Sequence, residues 1–364
     1  MFTVGRKPFL DACIMAAKSI PVRTTMPILQ CLRITAYPEP GAHVEVFGTD
    51  LESQSRVMVQ DQAIINKKEE TCVQAAQIIE GLRSCVDEEI TATLGKNSLK
   101  VVCGRSSFTF PITDPLTMPV GKFEDSHSGF WTYDREDLIA VLSRSIISCA
   151  DEEQKYSYDK VMIDGRLFVG TDGKRLSLQE LESSRQGEAV KAMLLPKTVQ
   201  ILTNLLRGSH DETANLYLTP NTIAAETSAG VVTCRTAQGN LPPNVDRILP
   251  KQMPYETTFV VGDLLRGVSQ ASIMTDKEAT RVTCEFAEGE LTIRATHMTG
   301  KAEAVVTGDI PADMALKIHL DPVYLKDMLR TLNPKDKVVV RFTGPDKFLV
   351  MDIPNGKYAV TPLV

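Results

Sequence analysis

The sequence predicts an α+β protein of three similar domains, each with two helices on a mostly antiparallel sheet. Three observations lead there. A short motif recurs along the chain, helical patterns recur with the same period, and the rest reads as short strands separated by turns. The size fits: 364 residues suggest two or three domains. With 43% hydrophobic and 24% charged residues, the chain has enough apolar surface to fold.

The recurring motif is Gly48-Thr49-Asp50, which returns as Gly170-Thr171-Asp172. Both copies follow an alternating, strand-like run, Val44 to Phe47 and Arg166 to Val169. A weaker third copy is Ala295-Thr296-His297, after Glu290 to Ile293. One set of helices is predicted to start near Lys7, Asp134 and Gly262, and a second set near Cys72, Lys197 and Asp321. Asp134 with Asp137 resembles an acidic capping box, and Asp321-Pro322 places a capping carboxylate before proline. Val338 to Phe342 and Phe348 to Asp352 read as strands, with turns at Gly344-Pro345-Asp346 and Pro354-Asn355-Gly356. Proline-rich junctions, Pro111 to Pro119 and Pro242 to Pro250, place the domains at 1–125, 126–251 and 252–364.

Function classes narrow by exclusion. No apolar run approaches the roughly 18 residues of a membrane span, and the N-terminus lacks a signal-peptide core. The eight cysteines contain no C-x-x-C pair and read as reduced core thiols, which fits a cytoplasmic location. The five histidines lack metal-ligand spacing. Phosphate-binding glycine loops, zinc-protease and nucleophile-elbow motifs are absent, so neither a cofactor nor a catalytic site is expected. Asp50 and Asp172 could form a catalytic carboxylate pair, but their repetition favours closing a strand and capping the next turn.

The net charge is −6, yet beyond their first turns the predicted helices lean basic. A mildly positive helix surface suits a nucleic-acid backbone. It also suits an ordinary solvated helix face with charges matched to the helix dipole. Trp131 is the single tryptophan and no stacking ladder accompanies the basic positions, which favours duplex over single strand.

Four segments, in order along the chain, resemble the DNA polymerase III beta subunit family, the bacterial sliding clamps. They are Met26-Pro27-Ile28-Leu29, then Gly170-Thr171-Asp172-Gly173-Lys174-Arg175-Leu176, then Pro243 to Pro250, and last Tyr358 to Leu363. The resemblance implies the DNA clamp fold, with two chains joined head to tail in a six-domain ring. Twelve helices about 10 Å across would line a circle about 38 Å wide at their axes. Such a ring encircles double-stranded DNA without reading sequence and tethers the replicative polymerase for processive synthesis. It has no enzymatic activity of its own, and a separate ATP-driven clamp loader opens it.

By the same resemblance, Arg23, Lys197, Lys18, Arg83, Arg144, Arg207 and Arg266 are expected to face DNA. A partner-peptide pocket serving the polymerase, the loader and repair proteins would comprise Tyr158, Thr171, Gly173, Lys174, Arg175, Leu176, Pro243, Arg247, Ile248, Val360, Thr361, Pro362 and Leu363. Thr361 departs from the methionine common at its position, which implies a shorter, more polar pocket wall. The homodimer seam would pair Phe108 and Phe110 with Ile273 and Met274. Two readings compete: a clamp-fold DNA-binding scaffold that does not close a ring, and an enzyme using Asp50 and Asp172.

Overall fold

A computed structural model describes residues 1–364 apart from 61–62, 122–128, 153–156, 188–189, 240–247, 251, 276–279, 288 and 364. The first third of the chain runs β1 (Phe2–Gly5), α1 (Arg6–Ala17), β2 (Cys31–Tyr37), β3 (His43–Thr49), β4 (Ser53–Val59), β5 (Glu69–Gln74), α2 (Ala75–Ser84), β6 (Glu89–Leu94), β7 (Ser98–Cys103) and β8 (Ser106–Thr113). The second runs β9 (Gly129–Asp134), α3 (Arg135–Ile146), β10 (Val161–Asp164), β11 (Leu167–Thr171), β12 (Arg175–Glu180), β13 (Ser184–Gly187), β14 (Lys191–Leu194), α4 (Pro196–Gly208), β15 (Thr213–Leu218), β16 (Thr222–Thr227) and β17 (Gly230–Arg235). The last runs β18 (Tyr255–Val260), α5 (Val261–Ala271), β19 (Val282–Ala287), β20 (Glu290–His297), β21 (Gly300–Thr307), β22 (Leu316–Leu320), α6 (Pro322–Leu329), β23 (Lys337–Phe342), β24 (Leu349–Ile353) and β25 (Gly356–Val360). Among the described residues the strand–helix order therefore recurs three times with two α-helices each, as the sequence period predicts, the second third carrying one extra strand between its helices.

Contacts divide the chain into two compact units. The first comprises Met1–Ile139, Ser183–Ala192 and Lys197–Ala237; the second comprises Ala140–Glu182, Met193–Pro196 and Gln238–Val364. The first holds one 13-stranded sheet, ordered β1-β6-β7-β8-β5-β2-β3-β4-β17-β16-β15-β9-β13. The second holds an eight-stranded sheet, β14-β10-β11-β12-β25-β24-β23-β18, and a four-stranded one, β21-β20-β19-β22. The division falls inside the second third because its strands serve two sheets. β17 extends the first third's sheet by pairing with β4, and β12 extends the last third's by pairing with β25, both antiparallel.

Within each unit, helices bury one face and expose the other. In α1, Phe9, Ala12, Cys13 and Ala16 are buried at helical spacing. In α5 the same stripe is Val261, Leu264, Val268 and Ala271. A fully buried residue of this kind contributes about 1.5–3 kcal/mol. The caps behave as read: Asp134 accepts the Asp137 amide at 2.9 Å, and Asp321 accepts that of Val323 at 2.9 Å. One helix start needs correction. Cys72 lies within strand β5, and α2 begins at Ala75. All eight cysteines are buried and unpaired.

The recurring motif is one turn built twice. Asp50 Oδ1 accepts the amides of Glu52 (3.1 Å) and Ser53 (2.6 Å); Asp172 Oδ1 accepts those of Lys174 and Arg175, both at 2.8 Å. Thr49 and Thr171 each donate to a carbonyl four residues on, at 2.8 and 2.6 Å. The residue after each aspartate takes a positive φ, Leu51 at 76° and Gly173 at 87°. In the third copy, His297 Nδ1 accepts the Thr299 amide at 3.4 Å. These carboxylates are occupied by turn amides, which supports the structural reading of the motif over the catalytic one.

Candidate functional site

Most of the predicted pocket residues lie where β12 meets β25 in the second unit. Arg175 stands opposite Val360 and Leu176 opposite Ala359. The pairing continues beyond the strand, since Thr361 directs both its amide (2.8 Å) and its hydroxyl (2.7 Å) at the Lys174 carbonyl. Leu363 then donates its amide to the His319 carbonyl at 2.8 Å. The tail is thus pinned on two sides, leaving Thr361, Pro362 and Leu363 half-buried. Tyr158 lies against Gly173, where an added Cβ would sit 3.1 Å from its ring. Thr171, Leu176 and Val360 are buried, while Lys174 is exposed. Ile248 is also exposed, and Pro243 and Arg247 lie outside the described residues.

Arg175 holds this corner together. Its guanidinium pairs with Asp172 and with Asp327, each at 2.9 Å, and lies over the Tyr324 ring at 4.6 Å. Tyr358 donates its hydroxyl to the Tyr324 carbonyl at 3.0 Å. Burial opposes the charge of Arg175, but Tyr358, Asp327 and Asp172 outweigh it and raise the pKa. Burial also raises the Tyr324 and Tyr358 phenols, so both stay protonated at neutral pH. Sequence reasoning missed Asp327, Tyr324 and His319 as supports of the site. Tyr324 and Asp327 share a face of α6 at i and i+3, but nothing local links them to a turn some 150 positions away. We expect Arg175→Ala to cost about 2 kcal/mol, because it strands two partly buried carboxylates. Urea denaturation measures this, and Arg175→Lys restores only part, since an ammonium cannot stack and fork together.

The basic positions divide. Lys18, Arg23, Arg83, Arg207 and Arg266 are exposed. Arg266 pairs with Asp263 one turn earlier, and Lys197, about half exposed, pairs with Asp50. Arg144 is the correction. It is only 6% exposed, and its Nη1 donates to the Pro354 carbonyl at 3.0 Å, so it braces the second unit and cannot face DNA.

The seam residues have the expected surface character. β8 pairs with β7 from Ser106 to Pro111 but with β5 only at Ile112 and Thr113. Among the described residues, Phe108 therefore sits on an open strand edge. Its ring stacks on Phe110 at 6.2 Å between centroids. Both line a groove of about 770 Å³ against α2, whose Gly81 lets the rings approach: a Cβ there would lie 2.9 Å from Phe110. In the second unit, Ile273 is 73% exposed, whereas Met274 is half-buried against the core.

Comparison with known proteins agrees across the chain. Residues 1–123 match the family model of the DNA polymerase III beta subunit, N-terminal domain, and residues 246–362 match that of its C-terminal domain. The beta sliding clamp of Caulobacter vibrioides is 22% identical over 376 residues, covering 99% of both chains. That of Haemophilus influenzae is 25% identical over 349 residues, covering 91% of this chain and 90% of the relative. Among solved structures, the Pseudomonas aeruginosa sliding clamp bound to griselimycin superposes with a TM-score of 0.88 at 21% identity, covering 100% of this chain and 99% of that one. The DNA polymerase III beta subunit of Thermotoga maritima gives 0.85 at 18% identity, covering 100% of both.

Proposed function

Because the chain belongs to the DNA polymerase III beta subunit family, we propose that it is a sliding clamp: a non-catalytic processivity subunit that encircles duplex DNA and tethers the replicative polymerase. The observation that carries this is the threefold recurrence of a helix pair on antiparallel sheet, with the same turn closing the same strand in the first two copies. Three domains, at 1–125, 126–251 and 252–364, then supply half of a six-domain ring formed by two chains head to tail. Phe108 and Phe110 of one chain meet Ile273 and Met274 of the other.

The mechanism is topological. A polymerase that releases its primer end while tethered to a closed ring rebinds before it diffuses away, because its effective concentration stays high. Sliding requires that the lining attract phosphates weakly. Lys18, Arg23, Arg83, Lys197, Arg207 and Arg266 supply a mild positive face, and the acidic partners of Lys197 and Arg266 moderate it further. The ring carries no nucleotide-binding loop in its sequence, so opening falls to an ATP-driven loader. The protein works in the cytoplasm.

The β12–β25 corner with its tail is the docking pocket for a short linear motif carried by polymerase, loader and repair proteins. Two apolar anchors of the peptide fill the slot around Leu176, Val360 and Leu363. Pro243, Arg247 and Ile248 complete the wall. Leu363→Asp should weaken a fluorescent clamp-binding-motif peptide by at least about tenfold, since a carboxylate at the slot would be desolvated without a partner. Unchanged affinity in the titration would move the pocket elsewhere.

A further inference from the structure

The chain closes two joints between its own repeats, and both follow one pattern. In the first unit β17 adds to β4, and in the second β25 adds to β12. Each added strand leaves a hairpin of the same form, closed by Thr227 with Gly230 and by Ile353 with Gly356. Each receiving strand starts three residues after the motif aspartate, at Ser53 and at Arg175. The register is identical: the first residue of the receiving strand stands opposite the fifth of the added one, Ser53 opposite Cys234 and Arg175 opposite Val360. An ion pair from the motif turn pins each joint to a helix of the next repeat. Asp50 pairs with Lys197, the second residue of α4, and Arg175 with Asp327, the sixth of α6.

The same parts occur once more, apart from each other. β21 starts three residues after His297 and is the outer strand of its sheet. β8 leaves a hairpin closed by Cys103 with Ser106, and its edge is open from Ser106 to Phe110 among the described residues. The shared register sets Gly300 against Phe110, Ala302 against Phe108 and Ala304 against Ser106. Burial agrees with it independently. Ala302 and Ala304 turn inward, as Phe108 and Phe110 do, whereas Lys301 and Glu303 are exposed like Thr109 and Ser107. A slip of one residue would set Lys301 or Glu303 against Phe108. Twelve residues after the start of α3, Ile147 packs on the core of the last third; twelve after the start of α5, Ile273 is exposed. The ion pair is what this third set lacks. Gly300 stands where the second joint has Arg175, and Ala76 where the first has Lys197. Glu80, at the place of Asp327, is exposed on the groove wall and makes no ion pair among the described residues.

Resting on the ring reading, we propose that the seam is a third copy of this joint that lacks its pin. β21 of one chain pairs with β8 of the partner subunit in the shared register, and Gly300 leaves Glu80 of the partner subunit without a cation. Strand pairing and the apolar contact of Phe108 hold the seam closed. The missing ion pair makes it the joint that parts most easily.

The test uses the full chain, whose native cysteines are all buried. Thr109→Cys with Lys301→Cys places two thiols directly opposite across the seam. Copper–phenanthroline oxidation should link two chains on a denaturing gel. Ser107→Cys with Lys301→Cys, two residues out of register, should link at least about tenfold less. Gly300→Arg supplies the pin, and a Cβ there meets only ordinary contact, 3.4 Å from Met274 Sδ. It should slow the exchange of labelled subunits at least about threefold, and adding Glu80→Gln should remove the gain. Gly300→Lys replaces it if the arginine variant fails to fold. Equal linking by both cysteine pairs overturns the register. No slowing of exchange, or slowing that survives Glu80→Gln, overturns the missing pin. A wild type that light scattering shows only as single chains overturns the ring reading, and this proposal with it.

Discussion

Gly170→Val should destabilise the second unit by about 3 kcal/mol or more, the upper end of what overpacking costs. An ideal Cβ at Gly170 would lie 2.0 Å from the carbonyl oxygen of Ser145, next to the last turn of α3. The obstacle is backbone, so no rotamer change relieves it. Either the helix lifts from β11 or the strand bends, and both expose the stripe around Leu138, Val141 and Leu142, all buried. Gly48 repeats the arrangement in the first unit, where a Cβ would lie 2.4 Å from the Ala16 carbonyl oxygen beneath α1. Gly48→Val should therefore do comparable damage. The corresponding position in the third copy is Ala295, buried at 4%, so Ala295→Gly there should be a mild cavity-forming change. Urea denaturation of the three variants measures this ranking. A loss below about 1 kcal/mol for Gly170→Val would mean that the close approach of helix to strand is not a requirement of the fold.

Phe108→Asp should convert the dimer to single chains while leaving each chain folded. The side chain is half-buried, on a strand edge without a partner along Ser106 to Phe110 among the described residues. It lines the groove against α2 and packs on the core of the first unit from its outer side, without belonging to the buried cluster itself. The proposed seam covers that groove in the ring, and a carboxylate placed there would then be stripped of water against apolar neighbours. Phe110 separates the two effects. It is 8% exposed and belongs to the core of the first unit. Phe110→Asp should therefore lower both dimer mass and thermal stability, whereas Phe108→Asp lowers only the mass. Light scattering with a melting curve distinguishes them. A Phe108→Asp protein that keeps the mass of two chains removes this residue from the seam.

Much of this architecture was legible because the repeat is written in residues that must be what they are. The glycine of each Gly-Thr-Asp copy sits under a helix carbonyl, the threonine and aspartate bind the turn, and the next residue takes a positive φ even when, as at Leu51, it is not glycine. Cap residues were legible for the same reason, since they bond to amides two or three residues away. The misreadings concern partners distant in the chain. Arg144 has the look of a solvent-facing helix arginine until the Pro354 carbonyl comes beside it. Arg175 belongs to a turn motif in sequence, but its second carboxylate comes from α6. Cys72 sits in an apolar run that suits strand or helix, and pairing with Arg33 on β2 decides for strand. The candidate pocket residues were named through family motifs, whereas the bracing of that corner by Asp327, Tyr324 and His319 has no local signature.

The most direct test of ring closure is negative-stain imaging of the purified protein at micromolar concentration, with Phe108→Asp beside it. The account predicts closed rings with an open centre for the wild type and isolated crescents for the variant. Wild-type particles that remain compact single chains, under conditions where light scattering shows no dimer, would contradict the encircling mechanism.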